Sequence, residues 1–380
     1  MGALLGSRQI LCVVGARPNF MKIAPIMRAF AHPESTLSAR LLHTGQHYDA
    51  AMKHSFFEQL DIPEPDVDLG VGSGSHAQQT ADIMKRFEPV LDESRPVAVL
   101  VVGDVNSTIA CALVAVKKGI PVIHVEAGLR SGDRSMPEEI NRILTDQLSD
   151  LLFITEADAR ENLKLEGIAS EKVHFVGNVM IDSLRYNLTK AVPASTTLSR
   201  ASDTFGEHAQ HEYGLVTLHR PSNVDDPVVL TRLLNVLANI SQRTPLIFPM
   251  HPRTEARIAA ANLEGLLADS AITTIGPQGY LEMLGLMKDA RVVLTDSGGI
   301  QEETTALGVP CITLRENTER PITVSQGTNT VVGTDVDAIL ACYEDVMTTG
   351  GKTGRVPDLW DGESAQRIVQ TLNAWADTVE

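Results

Sequence analysis

Several clusters in this chain have residue types and spacings that suit chemistry on an anionic ligand. Asp296-Ser297-Gly298-Gly299-Ile300-Gln301-Glu302-Glu303 joins two glycines to the predicted start of a helix. A helix N-terminus presents unpaired N–H groups and a positive dipole end, which suits a diphosphate. An ordinary βα turn capped by Asp296 or Ser297 would carry the same pattern. Gly15-Ala16-Arg17-Pro18-Asn19-Phe20-Met21-Lys22 makes a second turn with two cations. Arg17 can grip phosphate oxygens through two N–H groups, and Lys22 adds a point charge. The turn is not G-x-G-x-x-G, so the dinucleotide fingerprint is missing. Asp104 and Glu126 end predicted strands, and Glu138 and Glu139 open a predicted helix after the loop Arg130–Pro137. Carboxylates gathered near cations suit acid/base work on a ligand held by its phosphates. Glu138 and Glu139 would equally favour a helix N-terminus on electrostatic grounds. His124 also reads as a satisfied core histidine, and His43, His47 and His54 as solvated ones. Tyr186 and Lys190 match a Tyr-x-x-x-Lys spacing only by coincidence, and Gly70–His76 reads as a flexible loop.

Short β-branched runs alternate with longer amphipathic segments, and these must position the clusters. The predicted strands are Ile10–Val14, Leu41–His43, Ala98–Val102, Val122–Val125, Leu151–Ile154 and His174–Val176. Predicted helices include Met21–Phe30, Ala77–Leu91, Thr108–Lys118 and Glu138–Leu148. After the polar stretch Lys190–His211 the pattern restarts with Gly214–Leu218, Leu246–Phe248, Ile272–Ile275, Val292–Leu294 and Cys311–Leu314. A last helix, Ser364–Asp377, puts Ile368, Leu372 and Trp375 on one face. Such alternation predicts an α/β protein with parallel sheets and covering helices, the first domain ending near Asp182–Ala191. Nearly every polar cluster follows the C-terminal end of an apolar run, which is where ligands sit in open α/β sheets. His219-Arg220, His251 and Gly276-Pro277-Gln278 follow the same rule. Two such rims, one per domain, predict a shared interdomain cleft.

Composition narrows the partners. The 380 residues are ample for two domains. A formal charge of −16 and an aromatic share of 4% argue against nucleic acid, which is bound by clustered cations and stacking rings. The four cysteines are scattered, without the spacing of a zinc site or disulfide framework, and no metal site is expected. No run approaches the ~20 apolar residues of a membrane span, and the N-terminus lacks signal-peptide character. These readings place the protein in the cytoplasm, away from membranes.

With these residues in view, the sequence resembles the non-hydrolysing UDP-N-acetylglucosamine 2-epimerases. The matching stretches are GARPNFMKIAP, TGQHYD, VGDVNST, HVEAGLRSGDRSMPEEINR, TLHRPSN, PQGYLEM and TDSGGIQEETTALGVPCITLRENTERPI. The resemblance implies two Rossmann-like domains of the glycosyltransferase-B type. The first would span 1–185, with the C-terminal helix 363–380 packing back on it, and the second, UDP-binding, 186–362. It implies a homodimer and a UDP-sugar substrate. By motif position Asp104, Glu126 and Glu138 match the family's catalytic carboxylates and His219 its active-site histidine. Arg17 and Lys22 match its substrate-binding cations. Gln278 falls in the nucleotide pocket, Ser297, Gly298 and Gly299 at the diphosphate, Glu303 at the ribose and Arg320 at another substrate contact. Gln46 and His251 match a second UDP-sugar site through which many bacterial members are activated, but Asp49 and Gln78 depart from it. Met283 stands where many members carry an aromatic near the base, and the loop before Pro137 is shorter than in many members.

The family's route breaks the C1–O bond to UDP, removes the now acidic C2 proton to give a 2-acetamidoglucal, then re-adds proton and UDP with inversion at C2. No redox cofactor is needed. The alternatives are a 2-epimerase for a decorated sugar such as a diacetamido uronate, a hydrolysing epimerase, a glycosyltransferase of the same fold, and a nucleotide-sugar sensor.

Overall fold

The computed structural model describes residues 8–45, 56–201 and 212–378, which form two compact units. One comprises Met1–Tyr186 with Asp358–Glu380, the other Asn187–Pro357.

The first unit is built on a seven-stranded, wholly parallel sheet. Its strands are β1 (Gln9–Val14), β2 (Ser38–His43), β3 (Val67–Asp68), β4 (Ala98–Val102), β5 (Val122–Ala127), β6 (Leu151–Ile154) and β7 (Val173–Phe175). The central strands are buried on both faces, which is why they read as unbroken apolar runs. The order β3-β2-β1-β4-β5-β6-β7 reverses direction between β1 and β4. Outside the carboxyl ends of strands at such a reversal is where open sheets receive ligands. Four helices bear on that edge: α1 (Arg17–Phe30), α2 (His76–Ser94), α3 (Asn106–Lys117) and α4 (Pro137–Leu148).

The second unit has a six-stranded parallel sheet of β8 (Gly214–Thr217), β9 (Leu246–Pro249), β10 (Ile272–Ile275), β11 (Val292–Thr295), β12 (Cys311–Thr313) and β13 (Asn329–Val331). Its order, β10-β9-β8-β11-β12-β13, reverses between β8 and β11. Helix α5 (Tyr280–Lys288) starts two residues after Gln278, and helix α6 (Gly298–Leu307) carries Gly298, Gly299 and Glu303. Both units are therefore Rossmann-like, as the alternation of strands and helices indicates.

The terminal helix α7 (Ser364–Ala376) belongs to the first unit. Asp182 caps it from outside, accepting from Ser364 N at 3.2 Å and Ala365 N at 2.7 Å. Trp360 just before it is buried and donates to Thr155 O at 3.0 Å. Ile368 and Leu372 are fully buried, each contributing about 1.5–3 kcal/mol by burial. Among the described residues no helix is long and apolar enough to cross a membrane.

One expectation needs correction, and two segments gain detail. The glycine-rich loop at Gly70 follows the two-residue β3. Part of the polar stretch after Lys190 is helical, Ala194–Ala201, and residues 202–211 lie outside the described residues. His43 is not solvated: it is 2% exposed, packs against Phe20 and Phe57, and contacts Asp68.

Candidate active site

Register explains the rim of the first unit. Val13 pairs with Val101 and Val102 with Val125. The next residues outward, Gly15, Gly103 and Glu126, are therefore level with one another. Gly15 must be glycine, because a Cβ would collide with the hydrogen-bonded Thr44 and Ser107 hydroxyls. Asn19 ties the turn together: its Oδ1 accepts from Gly15 N and Ala16 N, each at 3.2 Å, and its Nδ2 donates to Val102 O at 3.0 Å.

That turn delivers Lys22 to Glu126. The two are hydrogen-bonded as an ion pair, with both side chains almost wholly buried. A Cβ on Gly103 would lie 2.8 Å from Lys22 Nζ and 3.2 Å from Glu126 Oε2, so only glycine leaves them room. Asp104, half-buried one residue on, accepts from Arg142 Nε at 2.9 Å. Its backbone carbonyl accepts from Asn141 Nδ2 at 2.8 Å. Both donors come from α4. The same helix turns Glu139 inward, where it pairs with Arg142 and accepts from Ser131 N and Gly132 N. Glu138, its neighbour, is half-buried, and among the described residues its carboxylate has no hydrogen-bond or ion-pair partner. Arg17, half-buried, has its guanidinium over the Phe56 ring, 4.3 Å from the centroid. The unit thus holds Glu126 beside Lys22, Asp104 and Glu139 sharing Arg142, the half-buried carboxylate of Glu138, and Arg17 on the same turn as Lys22.

In the second unit Thr217 pairs with Thr295, so the residues beyond them meet. Asp296 is fully buried and takes His219 Nδ1 at 2.9 Å. It also accepts from His219 N at 3.0 Å, Arg220 N at 2.9 Å and Asn223 Nδ2 at 3.3 Å. Burial alone would push its carboxyl up, but His219 and the backbone donors outweigh that and hold it below the usual range. His219 keeps 39% of its side chain exposed, with Nδ1 committed to Asp296. His251 caps the helix Pro252–Ala260, accepting from Arg253 N at 3.1 Å, and its ring lies 5.7 Å from that of His219. Gln46 lies outside the described residues.

Ser297 is the N-cap of α6 without a side-chain cap bond. Gly298 packs so closely on Glu319 that a Cβ would run into the carboxylate. Glu319 is buried, 2.8 Å from Arg315 and 3.6 Å from Arg220. Burial raises its carboxyl, but Arg320, Arg315 and Arg220 together hold it far below the ordinary range. Arg320 also lies 2.8 Å from the buried Glu302. Arg220 Nε and Arg315 Nη1 are buried without a hydrogen-bond partner among the described residues. Such donors are costly to leave unmade, and an anion beside the α6 N-terminus would supply acceptors. Glu303 accepts from Tyr280 OH at 3.0 Å. Gln278 is half-buried, with Nε2 donating to Gly276 O at 2.8 Å, and Met283 is half-buried. Gly299 follows Gly298 in the first turn of α6.

Sequence reasoning missed Asp296 as the partner of His219, Arg142 as the partner of Asp104, and Arg315, and it placed Arg220 at a strand end without giving it a role. The register of β8 on β11 would have exposed the first. The spacing of Arg142 one helical turn after Glu138 hinted at the second.

The profile of the UDP-N-acetylglucosamine 2-epimerase family matches residues 31–373. The chain is 42% identical over 363 residues to the UDP-N-acetylglucosamine 2-epimerase of Methanococcus maripaludis, covering 95% of this chain and 97% of that one. It is 43% identical over 371 residues to the UDP-2,3-diacetamido-2,3-dideoxy-D-glucuronate 2-epimerase of Pseudomonas aeruginosa, covering 96% and 99%. Among solved structures it matches the Methanocaldococcus jannaschii UDP-GlcNAc 2-epimerase in complex with UDP-GlcNAc and UDP. That match has a TM-score of 0.85 at 40% identity and covers 96% of this chain and 99% of the other. With its fold, its motifs and these relatives in agreement, the chain belongs to the UDP-N-acetylglucosamine 2-epimerase family.

Proposed function

We propose that the protein interconverts UDP-N-acetylglucosamine and UDP-N-acetylmannosamine by eliminating and re-adding UDP. The observation that carries this reading is the pair of carboxylates Asp104 and Glu126 at adjacent strand ends, held by Arg142 and Lys22 respectively. A nucleotide-sugar sensor would need the arginines of the second unit but has no use for such a pair.

The C2 proton of the sugar is not next to a carbonyl, so direct abstraction is very costly. Cleavage of C1–O leaves its electron pair on UDP and builds positive charge at C1. C2–H is then acidic, and its loss gives the 2-acetamidoglucal. Arg220, Arg315 and Arg320, the α6 N-terminus and Arg17 stabilise the diphosphate as charge moves onto it. His219, oriented by Asp296, donates to a phosphate or to the leaving oxygen. Glu303 and Gln278 take the ribose and base. Asp104, Glu126 and Glu138 share removal of the C2 proton, its return on the other face, and stabilisation of cationic C1. Protonation at C2 and re-formation of C1–O complete a redox-neutral exchange. Lys22 acts through Glu126 in this scheme.

The reading includes a homodimer: Ile140 and Leu144, one turn apart on α4, are 46% and 48% exposed and suit a second copy of the chain. It also includes the cytoplasm, since Cys12, Cys111 and Cys311 are free and buried. A second UDP-sugar as activator is not part of it.

The decisive experiment is incubation with UDP-N-acetylglucosamine in deuterated water. Deuterium at C2 of both recovered UDP-sugars, without release of free UDP, is the expected result. Epimerisation without deuterium would exclude the chemistry, and accumulation of free UDP would indicate a hydrolysing enzyme. The Pseudomonas relative favours one second reading, a diacetamido uronate substrate. Competition between the two UDP-sugars, read as relative kcat/KM, separates them.

A further inference from the structure

Glu126 has a backbone φ of +74°, which places it in the left-handed region. Residues with a Cβ and a long side chain rarely sit there, because the Cβ crowds the following carbonyl. A register shift between Val125 and Ala127 against β6 marks the same spot as a bulge. Strain of this kind persists only where the surroundings over-determine it.

One buried carboxylate supplies that determination. Asp146 lies on α4 with no exposed surface on its side chain. Its Oδ1 is 2.6 Å from His124 Nδ1, two residues before Glu126. Its Oδ2 accepts from Gly128 N at 3.1 Å, two residues after. The strained residue is therefore fastened on both sides to a single side chain. Arg130 Nη2 binds the same Oδ2 at 2.7 Å and is itself gripped by Glu166 at 2.8 and 2.6 Å. His124 Nε2 stands 2.8 Å from Gly103 O, so the network also reaches the residue before Asp104. Burial pushes the Asp146 carboxyl up, but His124 and Arg130 pull it below its ordinary value, which keeps it an acceptor.

We propose that Asp146 is a positioning residue that clamps the segment 124–128 and so holds Glu126 in its left-handed conformation against Lys22. The inference rests on the reading of Glu126 as a working carboxylate. Asp146 touches no substrate in this scheme and acts only through the backbone that carries Glu126.

A double-mutant cycle tests it, with turnover of UDP-N-acetylglucosamine and C2 deuteration as readouts. Asp146→Asn keeps the shape and loses the charge. It should slow turnover on the order of 10²-fold, the cost of a misplacement of roughly 1 Å, with UDP affinity unchanged in calorimetry. In the Glu126→Gln background the same change should cost nothing further. Additive losses, or wild-type turnover in Asp146→Asn, would overturn the clamp. A second readout needs no activity. Glu126→Gly and Glu126→Ala both lose the carboxylate, but only glycine tolerates the positive φ. The glycine variant should melt higher than the alanine variant, and the gap should close in the Asp146→Asn background. A gap that persists unchanged would overturn the proposal. Where Asp146→Asn does not accumulate as folded protein, Arg130→Gln carries both comparisons. A wild-type protein that fails to exchange the C2 proton would sink the functional reading alone, and the melting comparison would still decide the clamp.

Discussion

Lys22 and Glu126 form an ion pair whose side chains are only 7% and 4% exposed, although 104 residues separate them in sequence. Removing one member of such a pair leaves the other charge buried and uncompensated, which costs about 3–5 kcal/mol. Lys22→Met should therefore lower stability to chemical denaturation by about that much as well as abolishing most turnover. Lys22→Met/Glu126→Gln should recover stability relative to Lys22→Met while remaining inactive. If Lys22→Met were as stable as the wild type, the pair would not be held in isolation from water.

Asp296 commits the Nδ1 of His219 and leaves the rest of that ring half-exposed. An amide at this position keeps the shape but can present its NH2 to the ring and invert the tautomer. Asp296→Asn should lower kcat by about 10²–10⁴-fold, the span over which a positioned proton donor contributes. It should add little to the loss caused by His219→Asn, because the two act as one unit. Independent, multiplying losses would separate Asp296 from the histidine.

These pairings mark where the sequence stops being legible. Strand ends could be read because a parallel strand buried on both faces is an apolar run that stops abruptly, so Asp104 and Glu126 stood out at their edges. β3 and β13 could not, being two and three residues long with one and two polar members. The partners of the site residues were hidden for a different reason. Asp296 looked like a helix cap because local capping and a cross-strand hydrogen bond use the same residue type. The partner of Lys22 stayed hidden because nothing local announces a carboxylate on the far side of β4. His43 looked solvated because the rings that enclose it, Phe20 and Phe57, come from different segments of the chain.

Gly298 carries a prediction about the anion site. A Cβ there meets the Glu319 carboxylate, which three arginines hold in place. Gly298→Ala must push Glu319 and its arginines away from the α6 N-terminus. UDP affinity, measured by calorimetry, should fall by at least about tenfold, or ~1.4 kcal/mol. Gly265→Ala, in a helix with open space around it, is the control and should leave UDP binding unchanged. Equal affinity in the two variants would remove this packing from the account of the anion site.

Acid should unfold the protein through identifiable groups. Asp146, Asp296 and Glu319 all bind their protons more weakly in the folded state than in the unfolded chain. Below about pH 4, where free carboxylates begin to protonate, the unfolded chain takes up protons that these groups refuse. Stability is therefore fully present above that pH and is lost as pH falls towards the depressed folded values. Glu319→Gln removes one such group, so its stability should be lower at neutral pH but fall less steeply between about pH 4 and pH 2. Urea titrations of wild type and variant across that window check the sign. A steeper acid limb in the variant would mean that Glu319 is not held ionised by Arg220, Arg315 and Arg320.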